Sequence, residues 1–209
     1  MKKVKSDRKA AYHHGNLRRA LIDAAVGIVN ENGHHALTLR GVAAAANVSR
    51  TAPYRHFENK EALMAAVAEE GFVTLNRRLR AVASRVEDPL ERIVRQAFEY
   101  VRFARGHPAH FEVMFRFNLK SFFRYPSLLE AAAPAGMCLL ESVQKCQSAG
   151  VVREGDLVRI SFGAWISMHG LATLAVGGLV PFDMEGDEAL ERIVREVAMS
   201  HLEGVRKRD

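Results

Sequence analysis

Apolar residues recur at three- and four-residue intervals along most of this 209-residue chain, and no run alternates as a half-buried strand would. That period gathers apolar side chains on one face of a helix, so the chain is expected to be all-α, about nine helices packed through those faces. Leu17, Ala20, Leu21, Ala24 and Ile28 form the first stripe, between Asn16 as a candidate cap and Asn32-Gly33 as a left-handed stop. Thr38 caps a short helix in which Leu39, Val42, Ala43 and Ala46 face inward. Asn47 tolerates the positive φ needed to turn the chain, Val48 plugs the turn, and Ser49 caps a third helix to about Phe57. Asn59 then caps a long helix carrying Leu63, Val67, Phe72, Leu75, Leu79, Val82 and Val86, expected to join two domains.

In the second half, Asp88-Pro89-Leu90-Glu91 combines a capping acid, proline at the first helical position and an acid at the third. That helix should end near Gly106. A short helix over Ala109–Phe117 and an aromatic linker to Pro126 follow. The helix from Ser127 to about Ala149 contains Pro134, so a kink or break near Ala131–Ala133 is expected. Asp156–Gly178 is apolar on two faces, one of them Leu157, Ile160, Ala164, Met168, Leu171, Ala175 and the other Phe162, Trp165, Ile166, His169, Thr173, Val176. The last helix carries an unbroken stripe from Leu190 to Val205. A helix apolar nearly all round must be covered on several sides. Gly163, Gly170 and Gly177 would also admit another backbone. A homodimer built through the last two helices satisfies both features; closing the core of a monomer is the plainer alternative. The expected domains are residues 15–75, with the motif at 38–57, and residues 88–206.

Net charge is +6, and residues 1–60 hold 11 Lys/Arg against four Asp/Glu, a surplus of seven, so the remainder carries a net −1. Such a basic third suits a polyanion, because neutralising phosphates releases condensed counterions; a basic tail with a solvated surface gives the same arithmetic. The basic start is not followed by the apolar run of a secretory signal. The apolar stretch Ala164–Phe182 carries Ser167, His169 and Thr173 and ends in Gly177-Gly178, which reads as a helix buried in protein. Cys138 and Cys146 lie eight apart in one helix, a spacing for neither a disulfide framework nor a zinc site. A cytoplasmic location is expected.

Two helices of about eight residues joined at Asn47-Val48 form a helix-turn-helix by pattern, and the second would project Arg50, Thr51, Tyr54, Arg55 and His56. The residues Thr38-Leu39-Arg40-Gly41-Val42-Ala43, Ala46-Asn47-Val48-Ser49 and Tyr54-Arg55-His56-Phe57-Glu58-Asn59-Lys60-Glu61-Ala62-Leu63 resemble the TetR/AcrR family of bacterial transcriptional regulators over about Gly15–Leu75. Tyr12-His13-His14-Gly15-Asn16 and Trp165-x3-His169-Gly170 resemble one branch of it. The resemblance implies an N-terminal DNA-binding head and a C-terminal effector-binding and dimerisation domain. It implies phosphate contacts from Thr38, Arg40, Tyr54, His56 and Lys60, and base-edge contacts from Ser49, Arg50, Thr51 and Ala52. Phe57 and the Tyr54 ring are expected in the core. Pro53 stands where leucine or isoleucine is commoner; it falls in the first turn of the third helix, where a missing N–H costs least, so the helix is expected to tolerate it while its start meets DNA differently. The Lys2–Lys9 arm would enter a minor groove or act as a solubilising tail.

Seven of the eleven phenylalanines fall between Phe98 and Phe123. Aromatics at helical spacing usually build core; the resemblance favours a pocket for a small hydrophobic effector, with Phe103, Phe111, Phe115, Met137, Trp165 and His169 as its expected lining. The pairs His13-His14 and His34-His35 lack metal-ligand spacing, and no phosphate loop or nucleophile elbow is present, so no metal, cofactor or enzymatic activity is expected. The expected function is a homodimeric repressor on double-stranded operator DNA, released when the effector shifts the spacing of the two heads through the Asn59-capped helix. The alternatives are a sequence-nonspecific DNA-binding protein and a carrier of hydrophobic metabolites without DNA function.

Overall fold

A computed structural model describes residues 3–181 and 183–205, with the side chains of residues 3–16, 119 and 203 outside the description. Among the described residues there are nine α-helices and no strand: α1 Lys3–Asn32, α2 Leu39–Ala45, α3 Lys60–Ala83, α4 Pro89–Gly106, α5 Pro108–Met114, α6 Leu119–Arg124, α7 Pro126–Ser148, α8 Leu157–Val176 and α9 Gly186–Gly204. Two short 3₁₀ turns, His34–Ala36 and Pro53–Arg55, complete the list. No described helix is long and apolar enough to cross a membrane.

Most expected caps form. Asn59 Oδ1 accepts from the Ala62 N–H at 2.9 Å, and Asp88 Oδ1 accepts from the Glu91 N–H at 2.7 Å with Pro89 behind it. Each such cap contributes about 1 kcal/mol by satisfying an amide the helix leaves free. Gly33 and Gly150 take positive φ, 73° and 70°, where α1 and α7 end.

Four secondary-structure elements depart from the sequence-based reading. Helix α1 begins at Lys3 and passes through Asn16 instead of starting there. The Lys2–Lys9 arm and the Tyr12–Asn16 motif fall on residues whose side chains are outside the description. The expected linker 118–125 holds α6, and Asn118 caps it by accepting from the Ser121 N–H at 3.0 Å. Helix α7 runs unbroken through Pro134. A proline costs its helix one N–H and a clash with the carbonyl four residues back, and that loss did not end this one. The fourth departure is the element after Asn47, described below with the site.

The chain divides into two compact units: Met1–Glu70 with Ala109–Leu128, and Gly71–Pro108 with Leu129–Asp209. The boundary falls inside α3, and residues 109–128 group with the first unit rather than with the rest of the second half. Buried side chains of the first unit include Leu21, Ile22, Val29, Leu37, Val42, Phe57, Leu63, Val67 and Met114. In the second unit α4 packs on both α8 and α9, which also pack on each other. Ile93, Val143, Cys146, Val152, Ile160 and Leu202 form a core cluster there.

Helix α8 uses its two apolar faces differently. Ile160, Met168 and Leu171 are buried, whereas Val158, Phe162, Ile166 and Leu174 stay about half or more exposed. Of the three glycines seven apart, Gly163 alone is closely approached: a Cβ there would lie 2.9 Å from the His201 ring of α9. Gly170 faces open space, and Gly177 caps the helix. The close approach that the spacing suggested is thus made once, by a side chain of the same subunit.

Candidate nucleic-acid interface

The first unit builds its outward surface from α2, the turn after it and the residues to Lys60. Thr38, in extended conformation, accepts from the Gly41 N–H at 3.0 Å and so opens α2. A Cβ on Gly41 would come within 3.1 Å of that hydroxyl, so the small residue keeps the cap in place. Helix α2 buries Leu39, Val42 and Ala43 and leaves Arg40 exposed. It is stopped by Asn47 at φ 53°, the one described non-glycine residue with positive φ, as expected for a short amide side chain in the left-handed region. The amides of Asn47 and Val48 return to the carbonyls of Ala44 and Ala43 at 3.1 and 3.0 Å, closing the end of the helix.

Beyond the turn the expected helix Ser49–Phe57 is replaced by turns and a 3₁₀ segment. Pro53 is the physical reason. In an α-helix capped by Ser49, residue 53 supplies the first amide that bonds back to the cap carbonyl, and proline has none. The Ser49 carbonyl instead accepts from Ala52 at 3.0 Å, and the Arg55 amide bonds to Ala52 at 3.2 Å, both three residues back. The Pro53 carbonyl then accepts from His56 and Phe57 at 3.0 and 2.9 Å. This tighter winding still leaves Ser49, Arg50, Thr51, Tyr54 and Arg55 exposed. Ser49 and Thr51 hydroxyls lie 3.3 Å apart.

Two residues sit otherwise than expected. The Tyr54 ring, assigned to the core, is 54% exposed, and Ala52, assigned to base edges, has its side chain buried with Pro53. Phe57 is buried as expected, with the Arg18 guanidinium over its ring at 5.6 Å. His56 is half-buried. Lys60 donates to the His35 carbonyl at 3.2 Å, which ties the start of α3 to the turn before α2. That turn is also held by Glu112 of α5, whose carboxylate accepts from both the His34 ring and the His34 backbone N–H. Burial works to raise the Glu112 carboxyl, but these bonds and the charges of His34 and Arg116 outweigh it and hold it below the usual range. Nothing in the local pattern marks Glu112 as a partner of a residue 78 positions earlier.

The residues expected to line an effector pocket fall in both units. Phe111 and Phe115 belong to the first, with rings meeting edge-on at 5.2 Å. Phe103, Met137, Trp165 and His169 belong to the second. There Phe103 is fully buried, and Met137, 54% exposed, borders a cleft of about 310 Å³ with Arg80, Pro134, Cys138 and Glu141. Trp165 and His169 converge on Tyr100, which periodicity alone did not single out. Its hydroxyl accepts from Trp165 Nε1 at 3.3 Å and lies 2.8 Å from His169 Nδ1. Burial pushes the Tyr100 phenol up and His169 down, so both stay neutral near pH 7. Burial and Glu141 raise the Cys138 thiol, and burial and Asp88 push Cys146 up to about 11; both cysteines are free and buried. Near pH 7 neither is a ready nucleophile.

A helical head that turns on a left-handed Asn47 and exposes a basic, hydroxyl-bearing row, followed by a helical second unit with one helix face left bare, defines a helix-turn-helix DNA-binding regulator. Residues 21–67 match the family model for bacterial regulatory proteins of the tetR family, and residues 93–197, half of the chain, match the tetracyclin repressor-like C-terminal domain. The solved structure of a protein with unknown function from Rhodococcus sp. RHA1 is 31% identical, with a TM-score of 0.76, over 94% of this chain and 98% of that one. The transcriptional regulator FadR from Bacillus subtilis, solved in complex with stearoyl-CoA, has a TM-score of 0.72 at 19% identity, covering 90% of this chain and 99% of that one. The ketosteroid transcriptional regulator KstR2 of Mycobacterium tuberculosis has a TM-score of 0.67 at 17% identity, covering 91% and 95%. No curated protein matches the sequence. The chain belongs to the tetR family of bacterial regulatory proteins and is a DNA-binding transcription regulator.

Proposed function

We propose that this protein is a cytoplasmic, homodimeric repressor that leaves its operator when a small hydrophobic effector binds the C-terminal domain. The observation that carries the DNA side is the exposed row Ser49, Arg50, Thr51 and Tyr54 directly after the Asn47 turn. In this reading residues 15–75 form the head, with the motif at 38–57, and residues 88–206 the effector and dimer domain. Ser49, Arg50 and Thr51 meet base edges; Thr38, Arg40, Tyr54, His56 and Lys60 meet phosphate; the Ala52 side chain is buried, and its N–H donates to the Ser49 carbonyl.

The exposed residues Val158, Phe162, Ile166 and Leu174 support pairing through α8, with α9 beside it. Four large apolar side chains at four- and eight-residue spacing on one helix make a contiguous stripe rather than scattered surface residues. For the effector, the chain's fold neighbour FadR was solved with stearoyl-CoA, and a second neighbour is a ketosteroid regulator. In this reading the Trp165-x3-His169-Gly170 segment, whose Trp165 and His169 meet the Tyr100 hydroxyl, belongs to the effector domain. It supplies a neutral polar group within an apolar surrounding, as recognition of an oily ligand with a polar end requires.

The test is a selection of bound duplexes from a random library, followed by titration at fixed salt. The repressor requires a pseudo-palindromic site bound at least ~10³-fold more tightly than random duplex. Arg50→Ala combined with Tyr54→Phe should abolish that preference while leaving the melting temperature unchanged. Equal affinity for all duplexes would leave a nonspecific DNA-binding protein, and no binding at low salt would leave a carrier.

A further inference from the structure

Helix α6 lies outside the helix-turn-helix, and nothing in the assigned function uses it. It belongs to the first unit and meets the start of α3 directly. Ser121 Oγ donates to Glu61 Oε1 at 3.0 Å, and Arg124 Nη1 lies 3.4 Å from Glu61 Oε2. The next residue, Tyr125, has its phenol raised by burial and by the carboxylates of Glu61 and Glu58. The end of α6 is therefore set against the acidic residues that flank Lys60.

Charge makes this placement informative. The entry to α3 reads Glu58-Asn59-Lys60-Glu61, two acids against one lysine, at the point where the head should hold a phosphate. The helix dipole adds only about half a positive charge there. A head limited to those residues would meet DNA with a carboxylate beside its own phosphate anchor. Lys120 and Arg124, four apart on α6 and both exposed, turn that local net of minus one into plus one. Arg124 faces Glu61, whereas Lys120 has no ion pair among the described residues. From Val113 to Leu129 there are three basic residues and no acid. Phe123, 75% exposed, stands on the same short helix one position before Arg124.

We propose that α6 is an accessory DNA-contacting element: Lys120 binds a backbone phosphate flanking the half-site, and Arg124 neutralises Glu61 so that the start of α3 can approach the duplex. The inference rests on the reading of the head as an operator-binding domain and adds to it a contact from outside the helix-turn-helix. Phosphate is the partner group because the element carries charge without a hydrogen-bonding array suited to base edges, and sequence-independent attraction is what point charges supply.

The experiment measures salt-dependent affinity of the full-length protein for the selected duplex with one helical turn of flanking sequence on each side. Lys120→Gln should lower affinity about tenfold at 0.1 M salt and reduce the slope of log affinity against log salt by roughly 0.9 per half-site. Lys120→Arg should restore both. Lys145→Gln, an exposed lysine of α7, should change neither. Cutting the flanks back to the half-sites should weaken wild type toward Lys120→Gln and erase the difference between them. Glu61→Gln should bind more tightly than wild type, an outcome that a purely structural Ser121–Glu61–Arg124 contact does not produce. An unchanged slope for Lys120→Gln together with unchanged or weaker binding for Glu61→Gln, while Arg50→Ala still abolishes binding, overturns the accessory contact and leaves the repressor intact. Failure of Arg50→Ala to affect any duplex overturns both.

Discussion

In the first unit, short elements are pinned by individual polar groups, and most of the side chains proposed to meet DNA are exposed. In the second, long helices pack through apolar faces, and an ion-pair network of Glu91, Arg95, Glu191 and Arg195 ties α4 to α9. Thr38, Asn47, Asn59 and the His34–Glu112 pair each hold one turn of the head, so its surface geometry depends on a few single contacts. The second unit spreads its stability over α4, α8 and α9 and leaves one apolar stripe of α8 bare. The difference teaches that a precise polar surface and an extensive apolar one need different support. Removing a cap should disturb the first locally, whereas a charge placed on the stripe tests whether that surface of the second is an interface.

The strongest way to break this contrast is to put charge on the bare stripe. Phe162→Asp with Ile166→Asp should yield a folded monomer by light scattering, with operator affinity down by at least ~10³-fold, because both half-sites no longer bind as one. A dimer that survives would remove the stripe from the interface. The next largest effect belongs to the small core of the head. Phe57→Ala should destabilise the first unit by about 3–5 kcal/mol, seen as earlier loss of amide protection in residues 17–67 than in α8 and α9. Simultaneous loss in both units would mean that they do not melt separately.

Acid should act on the second unit first. His107, His169 and His201 all lie there with pKa values lowered from 6.5, chiefly by burial and, for His107, also by Arg78. Because folding disfavours their protonated forms, their contribution is complete above about 6.5 and is lost as pH falls through the depressed values. Glu112 in the first unit is also depressed, but from 4.5, so its contribution is lost only at lower pH. Exchange protection in α8 should therefore fall between pH 7 and 5 before that of the head does; a flat profile over that interval would contradict the assignment. The smallest effect is expected at Pro53. Pro53→Ala restores the amide that an α-helix needs, so melting should move by less than ~1 kcal/mol-equivalent while the ranking of selected duplexes changes. An unchanged ranking would mean that the 3₁₀ winding does not set specificity.

Much of the head was legible from residue types at fixed spacing. Asn47 required a left-handed turn, and Thr38 and Asn59 announced helix starts through chemistry that acts over three residues, as Asp88 did in the second unit. Asn118 carried the same signal for α6, and the surrounding aromatics masked it. Neither the 3₁₀ winding at Pro53 nor the exposure of Tyr54 was anticipated: proline in the first turn was expected to be tolerated, yet it removes the amide that would close an α-helix there. Which unit each aromatic joins was least legible, because periodicity reports only that it faces inward: of the expected effector lining, Phe111 and Phe115 went to the first unit, and Trp165 and His169 to Tyr100 in the second.

The amino-acid order by itself determined an all-helical chain, the caps at Thr38, Asn59 and Asp88, the left-handed turn at Asn47 and a basic first third, since each depends on interactions within a few residues or on composition. Only the tertiary structure decided that Glu112 would hold His34, that Ser121 and Arg124 would cover Glu61, and which face of α8 would stay bare. Those pairings join residues 60 to 80 positions apart, and nothing in local helical chemistry chooses a partner at that distance; packing of the whole unit does.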